Sequence, residues 1–295
     1  MNSINIPTTR SLAAITTGEK VVRERLLPGA ILVRIANSHI RVGTFQYFAA
    51  RKMTKEIKIL ADYIIERHFE LSLSSKNIYE KFLMEIIKSQ ANLISKWMSA
   101  GFIHGVMNTD NTCLSGETID YGPCAFMDIF DYNKVFSSID YQGRYSYKNQ
   151  PNIILWNLTR FAETILPLLD NNLNKSIKKA EEILNEFASI YESNWISIMG
   201  HKLGIDEANK TDKNLIEEFL TLMQNQQLDF TNSFYSLSFL LEKDQIEKEG
   251  PPKSHKIYSK IKSSDWYAKW TRRLSINKKN LKKILKTLLI NNPSV

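Results

Sequence analysis

The sequence predicts an α+β chain that is mainly helical. Two segments near the N-terminus, residues 11–17 and 30–36, are rich in β-branched and apolar residues, as strands are. They are bounded by Gly18 and by Pro28-Gly29, which are typical of turns. Apolar residues at helical spacing then recur over most of the chain. These patterns predict a small β part followed by a larger helical part.

The first helix is predicted from near residue 54, where Ile57, Leu60 and Ile64 fall on one face. A second helix is predicted over residues 77–98, and Gly101 ends it as helix-terminating glycines commonly do. Its apolar positions recur at helical spacing: Ile78, Phe82, Ile86, Leu93 and Trp97.

The rest of the chain is predicted to be helical, with one loop near its end. Amphipathic patterns predict helices at residues 151–169, 176–191, 212–223 and 233–241, and a loop at 247–254. A final helix places apolar residues on one stripe with lysines opposite: Leu281, Ile284, Leu285, Leu288 and Leu289.

Length and composition fit a globular protein of one or two domains, because 295 residues can bury a large core. No run of about 18 apolar residues is present, so no transmembrane segment is expected. The N-terminus lacks the basic and apolar regions of a secretory signal, and the cytoplasm is the expected compartment. Cys113 and Cys124 are then expected to be reduced thiols.

The net charge of +8 is concentrated near the C-terminus. Residues 253–286 carry twelve Lys and Arg residues against one acid, Asp265. Such a tail could bind nucleic acid or an anionic membrane, but a solvated helix face is the interpretation we favour. Trp266 and Trp270 are four residues apart, which favours core anchors over a base-stacking platform. No specific nucleic-acid partner is therefore predicted.

The stretch from His104 to Asn111, followed by Asp120-Tyr121-Gly122, is the most informative part of the chain. Mg²⁺ prefers hard oxygen ligands and usually takes one or two carboxylates together with substrate phosphates. Asn111 and Asp120 could supply these ligands and leave Asp110 to act as a base. A tight hairpin at Ser115-Gly116 is predicted to bring Asp120 back beside Asn111.

The spacing can be compared with that of protein kinases, which carry H-R-D-x-x-x-x-N and then D-F-G. His104 and Asn111 stand at the expected His and Asn, and Asp120 begins the counterpart of D-F-G. The catalytic Asp position holds Val106, which accepts no proton, and Asp110 is the nearest substitute. The alternative is that these acids and amides are turn residues that bond their own backbone. His104 is expected to pack and hold the loop rather than act as a base.

Together these motifs resemble the selenoprotein O family of kinase-like protein adenylyltransferases. The signature is H-G-V-M-N-T-D-N at residues 104–111 and T-I-D-Y-G-P with F-M-D at residues 118–128. The resemblance is strong over residues 4–170 and weaker beyond. Further segments that resemble the family are residues 6–10, 16–19, 38–45, 142–145, 149–151 and 155–158.

The resemblance implies a protein-kinase-like fold in which most of the N-lobe is missing and the C-lobe is helical. Residues 1–50 would be residual N-lobe strands and a hinge. Residues 51–170 would be the catalytic C-lobe core, and residues 171–295 a C-terminal helical region with the basic tail.

The resemblance also implies a chemistry: transfer of AMP from ATP to Ser, Thr or Tyr hydroxyls of proteins. Asp110 would be the proton acceptor, and Asn111 and Asp120 would hold Mg²⁺ or Mn²⁺, with Asp120 also near ATP. Arg34 and Arg41 would contact the nucleotide phosphates, for which the guanidinium fork is suited. Transfer of a related nucleotide such as UMP stays open.

The chain also departs from the family. Members of the family extend well upstream of Met1, so the chain is expected to correspond to a fragment. No G-x-G-x-x-G phosphate loop is present, and the family's redox-active C-terminal Cys or selenocysteine is absent. Two alternatives follow. A separately encoded N-terminal half could complete the enzyme, or the chain could be a catalytically inactive pseudokinase remnant or binding module.

Overall fold

The computed structural model describes residues 1–71, 73–241, 255–275 and 280–292. Within them the chain forms two compact units. The first comprises Met1–Leu93, Asn108–Tyr121 and Trp156–Leu184. The second comprises Ile94–Met107, Gly122–Leu155 and the described residues from Asn185 onward. Helices predominate and two small sheets accompany them, which confirms the predicted mainly helical α+β class.

The β-structure of the first unit is a ribbon of two antiparallel strands, β1 (Arg10–Val22) and β2 (Leu26–Ile35). It confirms both predicted strands and extends them toward their shared turn. The register places Ile15 opposite Ile31, and it shifts between Thr16 and Lys20, where Gly18 takes a φ of 75°. The second unit holds a short pair that was not predicted, β3 (Phe102–Ile103) with β4 (Ala125–Phe126).

Every predicted helix is present with shifted ends. The described α-helices are α1 (Val42–Ala50), α2 (Thr54–His68), α3 (Ile78–Ala100), α4 (Gln150–Leu169), α5 (Leu173–Lys202), α6 (Lys213–Gln226), α7 (Phe230–Leu241), α8 (His255–Lys262), α9 (Asp265–Leu274) and α10 (Leu281–Asn291). None of these helices is long and apolar enough to cross a membrane. The predicted loop at residues 247–254 lies outside the described residues.

Helix α1 was not predicted, since its segment was expected only to connect the strands to the helical part. Val42 and Phe45 are fully buried in it. In nine residues its apolar side chains are not confined to one face, so helical periodicity gives no signal there. Its first turn is held by Thr44, whose hydroxyl accepts the backbone N–H of Arg41 at 3.2 Å.

Aromatic rings fix α1 in the core of the first unit. Phe45 of α1 packs edge-on against Phe161 of α4 at 5.1 Å between ring centroids. Phe161 packs in the same way against Phe82 of α3 at 5.8 Å. All three side chains are fully buried. The N-terminus of α1 is thereby fixed relative to the loops that follow it.

The C-terminal helices of the second unit are anchored by two tryptophans, as predicted. Trp266 stacks on Phe219 at 4.2 Å and on Trp270 at 5.4 Å, and both tryptophans are buried. Their indole N–H groups donate to Leu215 O and Leu203 O, each at 2.8 Å. The basic residues of α9 are exposed.

His104 is packed inside the second unit, as predicted. Its ring is fully buried and stacks on Trp97 at 5.3 Å between centroids. Its backbone N–H donates to Gln150 Oε1 at 3.1 Å, and Nδ1 accepts from the Val106 N–H at 3.4 Å. The histidine thus orders the start of the motif without facing solvent.

Replacing Phe161 with alanine tests the aromatic core. Phe161→Ala removes the ring that joins Phe45 and Phe82, and we expect it to lower the free energy of unfolding by about 3–5 kcal/mol. Urea denaturation followed by circular dichroism measures this change. Ile59→Ala is the matched control, because Ile59 is 69% exposed on α2 and its loss should cost under about 0.5 kcal/mol. Equal effects of the two substitutions would contradict this core.

Lys202 gives the second unit a pH dependence. Its ammonium lies 4.6 Å from the Phe234 ring centroid and donates to Asn291 O at 3.3 Å. Burial lowers the pKa of Lys202 from 10.5 to about 7. Between these values the unfolded chain binds the proton that the folded chain has lost, so stability should rise with pH across that interval.

Lys202→Met should remove this rise. We expect the stability difference between the variant and the wild type to shrink as the pH increases from about 7 to about 10, where the unfolded lysine also begins to lose its proton. Urea denaturation of both proteins at matched pH values measures the difference in their free energies of unfolding. The contributions of the other titrating groups are the same in both proteins and cancel in this difference. A difference that is constant over this interval would show that Lys202 keeps its ordinary pKa.

Candidate functional site

The first loop of the site is a short 3-10 turn, Thr109–Asn111, in the first unit. Its capping group is the Asn108 side chain, whose Oδ1 accepts the backbone N–H groups of Asp110 at 3.0 Å and Asn111 at 3.1 Å. This is the usual role of an Asn at a turn. The turn that sequence reasoning weighed as an alternative is therefore present, but Asn108 and not Asp110 supplies its cap.

Asp110 lies against Gly43 at the start of α1. A Cβ placed on Gly43 would lie 2.1 Å from Asp110 Oδ1 and would displace the carboxylate from its present position. An anion at the N-terminus of a helix is also favoured by the helix dipole. Sequence reasoning missed Gly43 as part of the site, because a glycine in a helix gives no local signal of what packs against it.

The second loop places Asp120 between the two arginines that the sequence proposed. Asp120 Oδ1 lies 3.9 Å from Arg34 Nη2, and Oδ2 lies 3.8 Å from Arg41 Nη1. All three side chains are partly exposed. Exposed pairs at such distances contribute about 0–1 kcal/mol to stability. The two arginines thus bind Asp120 weakly, and their guanidinium groups keep donors that another anion could accept.

The backbone of Asp120 is unusual. It has a φ of 58°, in the left-handed region that non-glycine residues rarely adopt. Asp tolerates this region better than most residues, yet a glycine would fit with less strain. A carboxylate kept in such a position is consistent with a functional demand on its side chain.

Backbone pairing connects the segment that carries Arg41 to the first loop. Val42 N–H donates to Thr112 O at 3.0 Å, and Leu114 N–H donates to Ile40 O at 3.0 Å. Arg41 and Cys113 form an antiparallel bridge between these two bonds. Both candidate carboxylates therefore lie against residues 41–43: Asp120 faces Arg41, and Asp110 faces Gly43.

The predicted hairpin is correct in its turn and wrong in its pairing. Gly116 N–H donates to Cys113 O at 3.1 Å, which closes the tight turn. The segments that flank the turn, residues 112–114 and 118–119, do not pair with each other as a hairpin requires, because each pairs with a distant segment instead. Cys113 bridges to Arg41, and Thr118 bridges in parallel to Thr8. Asp120 is thus positioned by the N-terminal segment as well as by the turn.

Glu117 is a buried residue of this turn that sequence reasoning missed. Its carboxylate accepts the backbone N–H of Asn37 at 2.9 Å, the Asn37 Nδ2 at 3.0 Å and the Ser115 hydroxyl at 3.1 Å. These bonds tie the turn to the chain just after β2, the strand that carries Arg34. A single acid in a turn has no sequence pattern that would reveal this role.

Cys113 contributes to the packing of the site, and its thiol is not activated. Its thiol is buried and lies 3.2 Å from Ser38 O, to which it donates. Burial raises the pKa of the Cys113 thiol, so the reactive thiolate form is disfavoured. The chemistry of the site is therefore left to its oxygen and guanidinium groups.

One donor of the site is left without a partner and could bind a phosphate oxygen. Arg41 Nε is buried and has no hydrogen-bond partner among the described residues, a state that a bound anion would relieve. The described residues contain no group of three or more His, Cys, Asp or Glu that could hold a metal ion by themselves. The magnesium site expected at Asn111 and Asp120 therefore stays a prediction, in which phosphate oxygens and water would complete the shell.

Comparison with known proteins identifies the family. The family model described as protein adenylyltransferase SelO matches residues 1–295. The protein nucleotidyltransferase YdiU of Clostridium perfringens strain ATCC 13124 is 50% identical over 295 residues, which is all of this chain and 58% of the relative. The relatives of the same name from Clostridium botulinum strains 657 and Loch Maree are 49% and 48% identical with the same coverage.

The chain thus spans 58% of the length of these curated relatives. The resemblance that rested on residues 104–111 and 118–128 extends to every residue of the chain. About half of the residues are identical over that span. This chain therefore belongs to the SelO family of protein adenylyltransferases.

Proposed function

We propose that this chain carries the catalytic residues of a kinase-like enzyme that transfers AMP from ATP to Ser, Thr or Tyr hydroxyls of proteins. The observation that supports this most strongly is the placement of Asp110 and Asp120 against residues 41–43, with Arg34 and Arg41 around Asp120. A base, oxygen ligands and phosphate-binding cations are the groups that nucleotidyl transfer needs.

In this proposal Asp110 accepts the proton of the acceptor hydroxyl. The hydroxyl oxygen forms a bond to the α-phosphorus of ATP, and the bond from that phosphorus to the bridging oxygen breaks. Pyrophosphate leaves with the electron pair, and AMP stays on the acceptor. Gly43 gives the Asp110 carboxylate the space to take this position.

The arginines and the metal ligands would stabilise the negative charge of the nucleotide. Arg34 and Arg41 would bind and orient phosphate oxygens through their forked N–H donors. Mg²⁺ or Mn²⁺ held by Asn111 and Asp120 would neutralise charge on the same phosphates. Because Asp120 contacts both arginines only loosely, it can exchange them for a cation without losing a strong ion pair.

The kinase-like fold and the domain boundaries are part of the same proposal. In chain order, helix α3 leads to the loop with Asp110 and Asn111, and Asp120-Tyr121-Gly122 follows, which is the order in kinases. We assign residues 1–50 to N-lobe strands and hinge, 51–170 to the catalytic C-lobe core, and 171–295 to a C-terminal helical region.

One partner follows from this assignment besides ATP, the protein that accepts AMP. The 295 residues contain no G-x-G-x-x-G phosphate loop, and they span 58% of the relatives' length. The same lack favours one alternative function, a non-catalytic binding module that has kept the family's helical part.

Substitution of the base gives a direct test. Asp110→Asn should lower the rate of transfer of labelled AMP by about 10²–10⁴, the usual range for a general base, and leave the Kd for ATP unchanged. Gly43→Ala should act in the same direction, since its Cβ displaces the Asp110 carboxylate. Glu66→Gln, an exposed position on α2, is the control. Absence of transfer by the wild type would favour the binding module, and unchanged transfer by both variants would eliminate Asp110 as the base.

A calorimetric experiment tests the metal ligand separately. Asp120→Asn keeps a residue that tolerates a positive φ and removes only the charge. We expect magnesium-dependent ATP binding to weaken about tenfold or more, equivalent to at least about 1.4 kcal/mol. Asp120→Ala should weaken binding at least as much. Binding that is insensitive to Asp120 but lost in Arg41→Met would assign the phosphates to the arginines and remove the metal site.

A further inference from the structure

One side of helix α1 leads from the candidate base to an exposed aromatic ring. Gly43, Tyr47 and Arg51 are spaced four residues apart, so they follow one another along the same side of the helix and its end. A Cβ on Gly43 would overlap the Asp110 carboxylate, so this is the side that meets the candidate base. Asp110 is itself exposed. This side of α1, here called the α1 face, therefore begins at a carboxylate that a second molecule can reach.

Tyr47 and Arg51 form a platform on the α1 face. Tyr47 is 54% exposed, and the guanidinium carbon of Arg51 lies 3.7 Å from the centroid of its ring. Arg51 Nη1 also donates to Tyr47 O at 3.0 Å, so a hydrogen bond and the ring contact hold the guanidinium in one place. A guanidinium has five N–H donors, and most of those of Arg51 stay available for an acceptor outside the helix.

The surroundings of the platform are basic. Residues 41–55 contain four Lys and Arg residues and no Asp or Glu. Lys52 and Lys55 follow Arg51 in the chain and, like it, are exposed. A surface of one sign favours a partner of the opposite sign and disfavours a partner of the same sign. The α1 face therefore fits an acidic segment that also has an apolar part to cover the Tyr47 ring.

We propose that the α1 face binds the protein segment that carries the acceptor hydroxyl, and that this segment has an acidic residue near the modified one. Tyr47 would pack against the segment, and Arg51 would bind the acid through its forked donors. The inference rests on the proposed function, because it takes Asp110 as the base. It adds the class of substrate, which is an acidic segment of a protein.

The geometry of the helix sets the distance between the acceptor and the acid. A helix rises about 1.5 Å per residue, so Gly43 and Arg51 are about 12 Å apart along α1. An extended peptide advances about 3.3 Å per residue, and about four of its residues cover that length. We therefore expect the acid about three to five residues from the acceptor residue, on one side of it.

A peptide series tests this expectation. Each short peptide carries one Ser, Thr or Tyr as its only hydroxyl and one Glu at a varied distance from it, and the full chain is assayed for AMP transfer with ATP and Mg²⁺. Glu at the matching distance should lower KM about tenfold and leave kcat nearly unchanged, because Arg–carboxylate hydrogen bonds are among the strong ones. Fluorescence anisotropy of the labelled peptides without nucleotide gives their Kd independently of transfer.

A charge exchange at Arg51 separates binding from a structural role, since an arginine at the end of a helix is also favoured by the helix dipole. Arg51→Glu should reverse the preference, so that peptides with Lys at the matching position bind better than those with Glu. A residue that only supports the helix would show no such exchange. Tyr47→Ala should weaken the binding of all peptides alike. Arg23→Gln, at an exposed arginine between β1 and β2, is the matched control and should leave the preference unchanged.

Two results would overturn the inference. One is binding or transfer that does not depend on where the Glu lies, and the other is a preference for Glu that survives Arg51→Glu. The proposed function fails differently. Absence of transfer with Arg51-dependent binding of the acidic peptides would remove the chemistry and keep the α1 face as a binding surface. Absence of both transfer and selective binding would remove both proposals.

Discussion

The backbone pairing of residues 40–42 with residues 112–114 is the constraint on which the candidate site depends. Two hydrogen bonds of 3.0 Å, from Val42 to Thr112 and from Leu114 to Ile40, set the register. Because Arg41 and Gly43 are two residues apart, this one register places a guanidinium by Asp120 and an open glycine by Asp110. A shift by one residue would move both groups away from their carboxylates.

The sequence could predict what local patterns encode. Helical spacing predicted α2 and α3, and the motif with Asn111 and Asp120 indicated which residues are candidates for the chemistry. It could not reveal that Cys113 pairs with Arg41 and Thr118 with Thr8, since both contacts join segments far apart in the chain. The sequence around Gly116 therefore predicts a closed hairpin. In the structure, the segment on each side of the turn pairs with a distant part of the chain instead.

The residues that sequence reasoning missed share one property: their role depends on what packs against them. Gly43 matters because the Asp110 carboxylate occupies the space of a Cβ, and Glu117 matters because Asn37 turns two donors toward it. Neither role leaves a periodic pattern or a characteristic spacing in the sequence. Asn108 could be predicted in part, because an Asn before a turn commonly caps it. The local sequence does not show, however, that Asn108 rather than Asp110 caps this turn.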